Sequence, residues 1–498
     1  MKKLVYLPLD ERPCNARFAP MLFNGKSIRV ATPSVLGEKK TPASFAELEK
    51  FLVEECRDAD GLVLSMDMLL YGGLIPSRLH YMTEEEAQAR LALVRGLKKA
   101  NPKLTIYAFQ CIMRCPQYSS SDEEPDYYEH YGRELFLLGE AQHRQSLGLS
   151  CNDPEELRAK IPADVLNDFV SRRAFNLKRN LDTLSLVEDG VIDFLIFPQD
   201  DSAPYGYTAI DQKQVRTVIA EKKLWLRVYM YPGADELGLT LSTRMALHFA
   251  GLRPGVYINY AATTAPTVIP LYEDRSVGES IKYQLLAAGM RIVSSAPEAD
   301  IILAVNAPAS PMREAAAQPV TDREYTVERT LIAFALYVQD CLNEGRIVTI
   351  ADIAYANGAD QELVALLNEM GILDKLQGYA GWNTSSNTLG TSIAMGAHAL
   401  LEGLTPEHRS FMALRLVEDA GYCGCVRGDV NENELPQLGL NWFDAGGMRG
   451  EVSEIVRDRL NTYVQEKLTS VARHIVIDDV WMPWKRIFEV GLDIHWEE

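Results

Sequence analysis

The sequence predicts an α/β protein built on a mostly parallel sheet, and three observations carry that prediction. Short apolar runs alternate with longer amphipathic stretches, the pattern of βα units. Most of the runs end in a polar loop containing glycine or proline. Runs with such exits number six before residue 254 and two after residue 320, and eight is the strand number of a (β/α)8 barrel. The expected architecture is therefore a (β/α)8-barrel-like domain with an inserted flavodoxin-like α/β lobe and a C-terminal accessory region. Two doubly wound domains side by side are the rival arrangement.

In chain order, residues 4–9 lead into DERPCN and residues 28–31 into TPSVLG. A helical pattern over 44–56 precedes residues 62–66, which run into DMLLYGGLIPSR. Residues 104–109 end in QCIMRCP, 192–197 in PQDDSAPYG and 226–230 in YPGADELG. Residues 1–253 thus form the first part of the barrel-like domain. A compact β–α–β texture follows in 254–320: strands at 256–260, 291–294 and 301–305, and a helix over 276–288. Residues 321–400 resume the barrel, with 347–350 entering ADIAYANGAD and 379–381 entering WNTSSNTLG. Residues 401–498 are the accessory region, helical and charged at first, with two strands in the tail HIVIDDVWMPWKRIFEVGLDIHW.

Composition narrows the function. A chain of 498 residues with 47% hydrophobic and 24% charged residues is an ordinary globular protein of about two or three domains. With 69 acidic against 50 basic residues, the formal charge is −19. Such a surface repels phosphate backbones and anionic lipid, so neither nucleic acid nor membrane is expected as a partner. The first apolar run is broken by Asp10, Glu11 and Arg12 too soon for a signal peptide, and no stretch approaches the roughly 18 apolar residues that would cross a bilayer. A cytoplasmic protein is expected, and eight cysteines fit a reduced pool. Cys111 and Cys115, and Cys423 and Cys425, are closely spaced, but nothing in the sequence ties the pairs into one zinc site.

In parallel α/β folds, ligands bind at the carboxyl ends of the strands. The residues there are Asp10 and Arg12, then Asp67 and Arg78, then Arg114, then Asp200, Asp201 and Tyr205. Asp235 and Glu236 follow, and later Asp352, Asn357, Trp382, Asn383 and Asn387. Carboxylates and amides pair with hydroxyl groups and an aromatic face stacks on a sugar ring, so the set suits a small carbohydrate. Asp200 and Asp201 form the sharpest signal. Adjacent carboxylates repel, which raises one pKa and separates an acid from its ionised neighbour. Glycoside hydrolysis needs that division of labour. An Asx turn with a helix cap is the structural alternative.

For Asp235 and Glu236 the alternative is capping of the helix that follows. Arg78 and Arg114 would clamp an anionic group or brace carboxylates around the site. Trp382 is a stacking platform or a core residue. There is no P-loop, no G-x-G-x-x-G opening a helix, no G-x-S-x-G and no H-E-x-x-H.

Taken together, LPLDERPCN, SMDMLLYGGLIPSR, FPQDDSAPYG, YPGADE and GYAGWNTSSNTLGT resemble an uncharacterised bacterial family catalogued only as a domain of unknown function. That resemblance spans most of the chain and implies no activity. The Asp200–Asp201 pair with Trp382–Asn383 downstream is also similar to the barrel enzymes that cleave N-acetylhexosaminides with substrate assistance. The similarity implies that Asp200 orients the substrate's acetamido group and that Asp201 is acid and base. The chain departs from those enzymes in lacking their first-strand motif.

The leading expectation is a sugar-processing enzyme, a glycoside hydrolase with Asp200, Asp201 and Glu236 in catalytic positions. Asp10, Arg12, Asp67, Arg78, Arg114, Tyr205, Asp235, Asp352, Asn357, Trp382, Asn383 and Asn387 would bind substrate. No cofactor and no metal are expected. The alternatives are a carboxylate-bound divalent-metal hydrolase or lyase, drawing on Asp10, Asp67, Asp200 and Asp352, and a non-catalytic carbohydrate-binding protein.

Overall fold

The computed structural model describes the whole chain, Met1–Glu498. It divides into two compact units that the chain enters more than once. The first comprises residues 1–11, 26–238 and 272–274, and the second 12–25, 239–271 and 275–498.

The first unit holds an open six-stranded sheet. Its strands are β1 (Lys2–Leu7), β2 (Ile28–Ala31), β3 (Gly61–Ser65), β4 (Thr105–Phe109), β5 (Phe194–Gln199) and β6 (Val228–Pro232), in the order β2-β1-β3-β4-β5-β6. Every pairing is parallel. β3 and β5 are buried along their whole length, as continuous apolar strands in a sheet covered on both faces must be. Val5, Leu7, Leu62, Leu64, Ile106, Ala108, Leu195 and Phe197 alternate along their strands and so share one face. On that face pack Leu48 and Leu52, Leu91 and Val94, Leu184 and Val187, and Val215 and Ile219, from four successive crossover helices. The helix Glu84–Ala100 starts at a reciprocal capping box between Thr83 and Glu86.

The second unit is built on an open five-stranded parallel sheet. β7 (Gly255–Tyr260), β8 (Arg291–Ile292), β9 (Ile301–Asn306), β11 (Ile347–Asp352) and β13 (Gly378–Ala380) lie in the order β13-β11-β9-β7-β8. Two short strands, β10 (Arg313–Glu314) and β12 (Tyr355–Ala356), pair beside it. Its core joins Leu303, Val305 and Ala351 to Ile281 and Leu285 of the helix Val277–Ala287 and to Leu389, Ile393 and Ala397 of the helix Ser385–Glu402. The C-terminal region is helical from Pro406, with wide π turns over Leu416–Val426, and closes in the antiparallel hairpin of β14 (Ile475–Trp481) and β15 (Gly491–Trp496).

The α/β class and the tail hairpin are as the sequence led us to expect, but the (β/α)8 barrel is not formed. Neither sheet closes. β2 and β6 are edges of the first sheet, and β8 and β13 are edges of the second. Residues 254–320 are not a lobe set into a barrel, because they supply three of the five strands of the second sheet, and β11 and β13 complete it. Counted within its own sheet, each unit runs 2-1-3-4-5, with a sixth strand added in the first. That is the flavodoxin-like doubly wound order. No helix is long and apolar enough to cross a membrane.

Candidate functional site

Parallel strands in register bring their carboxyl ends to one edge of the sheet, and in the first unit that edge carries the charged loops. β3 passes directly into the helix Met66–Tyr71, whose N-cap Ser65 accepts the Met68 amide at 3.1 Å. This places Asp67 inside the fold. After Gly72, whose φ of 85° ends that helix in the left-handed region, the chain reaches Arg78 in the short helix Pro76–Leu79. β4 exits into a long loop bearing Gln110, Cys111, Arg114, Glu123 and Glu124, and β5 exits at Asp200 and Asp201.

Arg78 and Arg114 are buried and gather four carboxyl groups. Arg78 Nη1 donates to Glu123 at 3.1 Å and to Glu124 at 3.2 Å, and its Nη2 donates to Asp200 at 2.9 Å. Arg114 Nε donates to Glu124 at 2.7 Å and Nη2 to Glu123 at 2.8 Å. Its Nη1 reaches Asp201 at 2.8 Å and Asp200 at 3.5 Å. Two guanidinium cations do not balance four carboxylates, so the cluster favours a retained proton. Asp201 is the group that takes it. Burial, and then the charge of Asp200, push its carboxyl up to about 7 against the pull of Arg114. Its backbone sits at φ 44°, a left-handed conformation that costs energy in a residue other than glycine.

A narrow cleft beside this cluster is lined by Asp67, Tyr71, Ser77, Arg78, Gln110, Asn176, Asn180 and Asp200. Asp67 accepts the Cys111 amide at 2.8 Å, and burial raises its carboxyl to about 7. Tyr205 turns to the helix Tyr128–Ser146, where its ring meets His143 and the guanidinium of Arg144. Glu236 folds back on its own turn and accepts the Ala234 amide at 2.9 Å, beside Gly233 at φ 123°. Asp235, next to it, and Asp10, beyond β1, are both buried.

The remaining sequence candidates belong to the second unit. Arg12 lies over the Trp484 ring at 4.5 Å, with Glu489 3.9 Å away. Asp352, at the end of β11, accepts from Tyr379 Oη at 2.7 Å, the Asp360 amide at 2.8 Å and Asn306 Nδ2 at 2.9 Å. Arg329 holds the neighbouring Asp360. Asn357 and Asn383 both have left-handed backbones, and the Asn357 amide donates to the Asn383 carbonyl at 2.8 Å. Trp382 is core: its ring meets Phe18 edge-on, its Nε1 donates to Thr391 at 3.1 Å, and Arg415 stacks near it. Asn387 is buried in the first turn of the helix Ser385–Glu402.

Of the residues singled out in the sequence, the structure brings Asp67, Arg78, Arg114, Asp200 and Asp201 near one another in the first unit, and beside them stand Glu123, Glu124, Gln110, Asn176 and Asn180, which sequence reading missed. The acidic run SSSDEEPD resembles a solvated loop. The only trace of the two asparagines is a polar stripe in the helix Ala163–Glu188, where Arg172, Arg173, Asn176, Arg179 and Asn180 recur at helical spacing and are buried. All eight cysteines are free thiols, and no three His, Cys, Asp or Glu side chains are grouped to hold a metal ion.

Fold and site together define a two-unit, doubly wound α/β protein with an arginine-braced carboxylate cluster at the strand exits of its first sheet. The model of a family described as a protein of unknown function, DUF4127, matches residues 4–493, and the chain belongs to that family. Among curated proteins, none matches the chain. With no barrel, the similarity to the N-acetylhexosaminide-cleaving enzymes reduces to the aspartate pair itself.

Proposed function

We propose that the protein is a sugar-processing enzyme, a glycoside hydrolase whose chemistry rests on Asp200 and Asp201. The observation that carries this reading is their shared contact with Arg114 Nη1, together with a proton retained on Asp201 near neutral pH. Asp201 delivers that proton to the glycosidic oxygen as the bond to the anomeric carbon breaks, and the bonding pair leaves with the oxygen. Asp200, held by Arg78 at 2.9 Å, faces the positive charge that develops on the sugar or orients a substrate acetamido group that attacks it. Water then completes hydrolysis and returns a proton to Asp201.

Two oxygens bonded to one nitrogen at 2.8 and 3.5 Å lie closer than the roughly 6.5–9.5 Å an inverting enzyme needs to seat its water. The pair therefore supports a retaining or substrate-assisted course. Carboxylate-bound metal hydrolysis is the alternative, but Arg78 and Arg114 already engage Asp200 Oδ2, and Asp352 falls in the other unit.

The test is turnover of aryl glycosides, N-acetylhexosaminides included, by wild type and Asp201→Asn, each with and without EDTA. Activity that survives chelation and is lost in the variant supports the reading. Activity that EDTA abolishes transfers it to the metal alternative. Sugar binding unchanged in the variant, with no turnover in either protein, supports a non-catalytic carbohydrate-binding protein.

A further inference from the structure

The second unit contains a feature that the acid–base reading does not use. β13 ends at Ala380, and within five residues the helix Ser385–Glu402 begins. Thr384 is its N-cap by backbone geometry, at φ −80° and ψ 164°, yet its hydroxyl makes no capping bond and its Oγ1 is buried without a hydrogen-bond partner. Ser385 to Thr388, the whole first turn, is buried. Asn387, at the third helical position, is only 3% exposed, and its Oδ1 has no partner.

These facts bear on one another. The first amides of a helix have no carbonyl to bond within it, and in a buried first turn water does not readily replace one. Helical side chains lean toward the N-terminus, so the Asn387 amide leans toward the end of the helix where the Ser385 and Asn387 N–H groups have no carbonyl to bond. A turn of the amide about its terminal bond presents Nδ2 as a further donor. The hydroxyls of Thr384 and Ser385 lie at the same end, the first without a partner and the second on a weak bond to Met312 Sδ at 3.9 Å that a stronger acceptor would displace. Asp419, which accepts the Gly381 amide nearby, is ion-paired to Arg415 at 3.0 Å, so its charge is compensated.

We infer that the start of the helix Ser385–Glu402 is a binding site for a phosphate group, held by backbone amides, the Thr384 and Ser385 hydroxyls and the Asn387 amide. Donors in this number suit a tetrahedral oxyanion with three free oxygens better than a carboxylate. The inference is independent of the aspartate chemistry in the first unit, and either can fail without the other.

The experiment is calorimetric titration of the full-length protein with inorganic phosphate and, separately, with a hexose monophosphate. Asn387→Asp is the informative variant. A carboxylate in the first turn of a helix is favoured by the helix dipole, which offsets part of the cost of burying it, while the bound anion is repelled. Phosphate should bind the wild type, and the variant should bind it at least about tenfold more weakly, the size of one lost charge-assisted hydrogen bond. A cooperative melting transition of the variant checks that it is folded. Thr384→Val should weaken binding less, also without loss of fold. Hexose monophosphate binding tighter than phosphate, with the same loss in Asn387→Asp, supports the site with a phosphosugar as its ligand. Equal binding of the two supports it with phosphate alone. Absence of binding by either probe, or unchanged affinity in a folded Asn387→Asp protein, overturns the inference.

Discussion

Asp201→Asn separates two forces that act in opposite directions on one carboxyl. Arg114 at 2.8 Å favours the ionised form, while burial and Asp200 favour the protonated one. If burial wins, the folded carboxyl titrates near 7 and the unfolded one near about 3.9. Below about pH 4 both states are protonated and stability is flat. Between about 4 and 7 the unfolded chain has lost a proton that the folded one retains, so stability falls as pH rises, and above 7 it is flat again. A displacement of about three pH units corresponds to at most about 4 kcal/mol. The side chain is 22% exposed, so solvent screens part of the charge, and about 2 kcal/mol is the expected loss. Asparagine cannot ionise. The variant should therefore match the wild type at about pH 3 and exceed it by about 2 kcal/mol at about pH 8, measured from urea unfolding midpoints at several pH values. The opposite slope, with the wild type gaining stability over the variant as pH rises through about 4, would mean that Arg114 prevails. Asp201 would then be an ordinary ionised partner, and the reasoning behind its role as an acid would be refuted.

Two further perturbations test the second unit. Arg415 is fully buried against Glu418 and Asp419, with the Phe18 ring 4.2 Å away, so Arg415→Met takes the ion-pair partner from two buried carboxyls and should cost about 3–5 kcal/mol by urea denaturation. Adding Asp419→Asn should restore part of that loss, and strict additivity of the two changes would contradict the coupling. His398 and His408 are stacked, with their Nδ1 atoms 2.9 Å apart, and His408 Nε2 donates to the Gln377 carbonyl at 2.9 Å. Burial lowers them to about 4 and about 3, so the unfolded chain takes up protons near about 6.5 that the folded pair refuses. Stability is thus lost as pH falls from about 6.5 toward 4, and His398→Gln should shrink the difference in urea midpoint between pH 7 and pH 5. An unchanged difference would show that the pair does not set the acid limit.

The elements that the sequence made legible are those governed by local physics. The apolar runs fall on or within two residues of β1, β3, β4, β7, β9 and β11, since a strand buried on both faces must be apolar throughout. The run at 226–230 lies two residues early, because Leu226 is exposed and the strand begins at Val228. Closure of a sheet is not local. Whether β6 pairs onward or stops is decided by contacts between segments far apart in sequence, and eight runs fit one barrel as well as parts of two sheets. The site divides in the same way. Asp200 and Asp201 announce themselves at a strand exit, and bracing by Arg78 and Arg114 was one of two readings open to those arginines. Glu123 and Glu124 did not, because only the fold tells an acidic pair held by arginines from a solvated one.

The helix Phe18–Phe23 has a consequence for synthesis. Phe18 packs edge-on against Trp382 and Phe411, and Phe23 meets His398. These apolar groups leave the ribosome almost 400 residues before their partners. At about 5–20 residues per second the wait is on the order of 20–80 s. Through that interval Phe18, Leu22 and Phe23 are a sticky leading segment without a docking place, and the second unit cannot finish folding while translation continues. Slowed elongation or an early stop codon should therefore yield a nascent product that depends on chaperones, and fragments that begin after residue 25 should lack a wedge of the second unit's core.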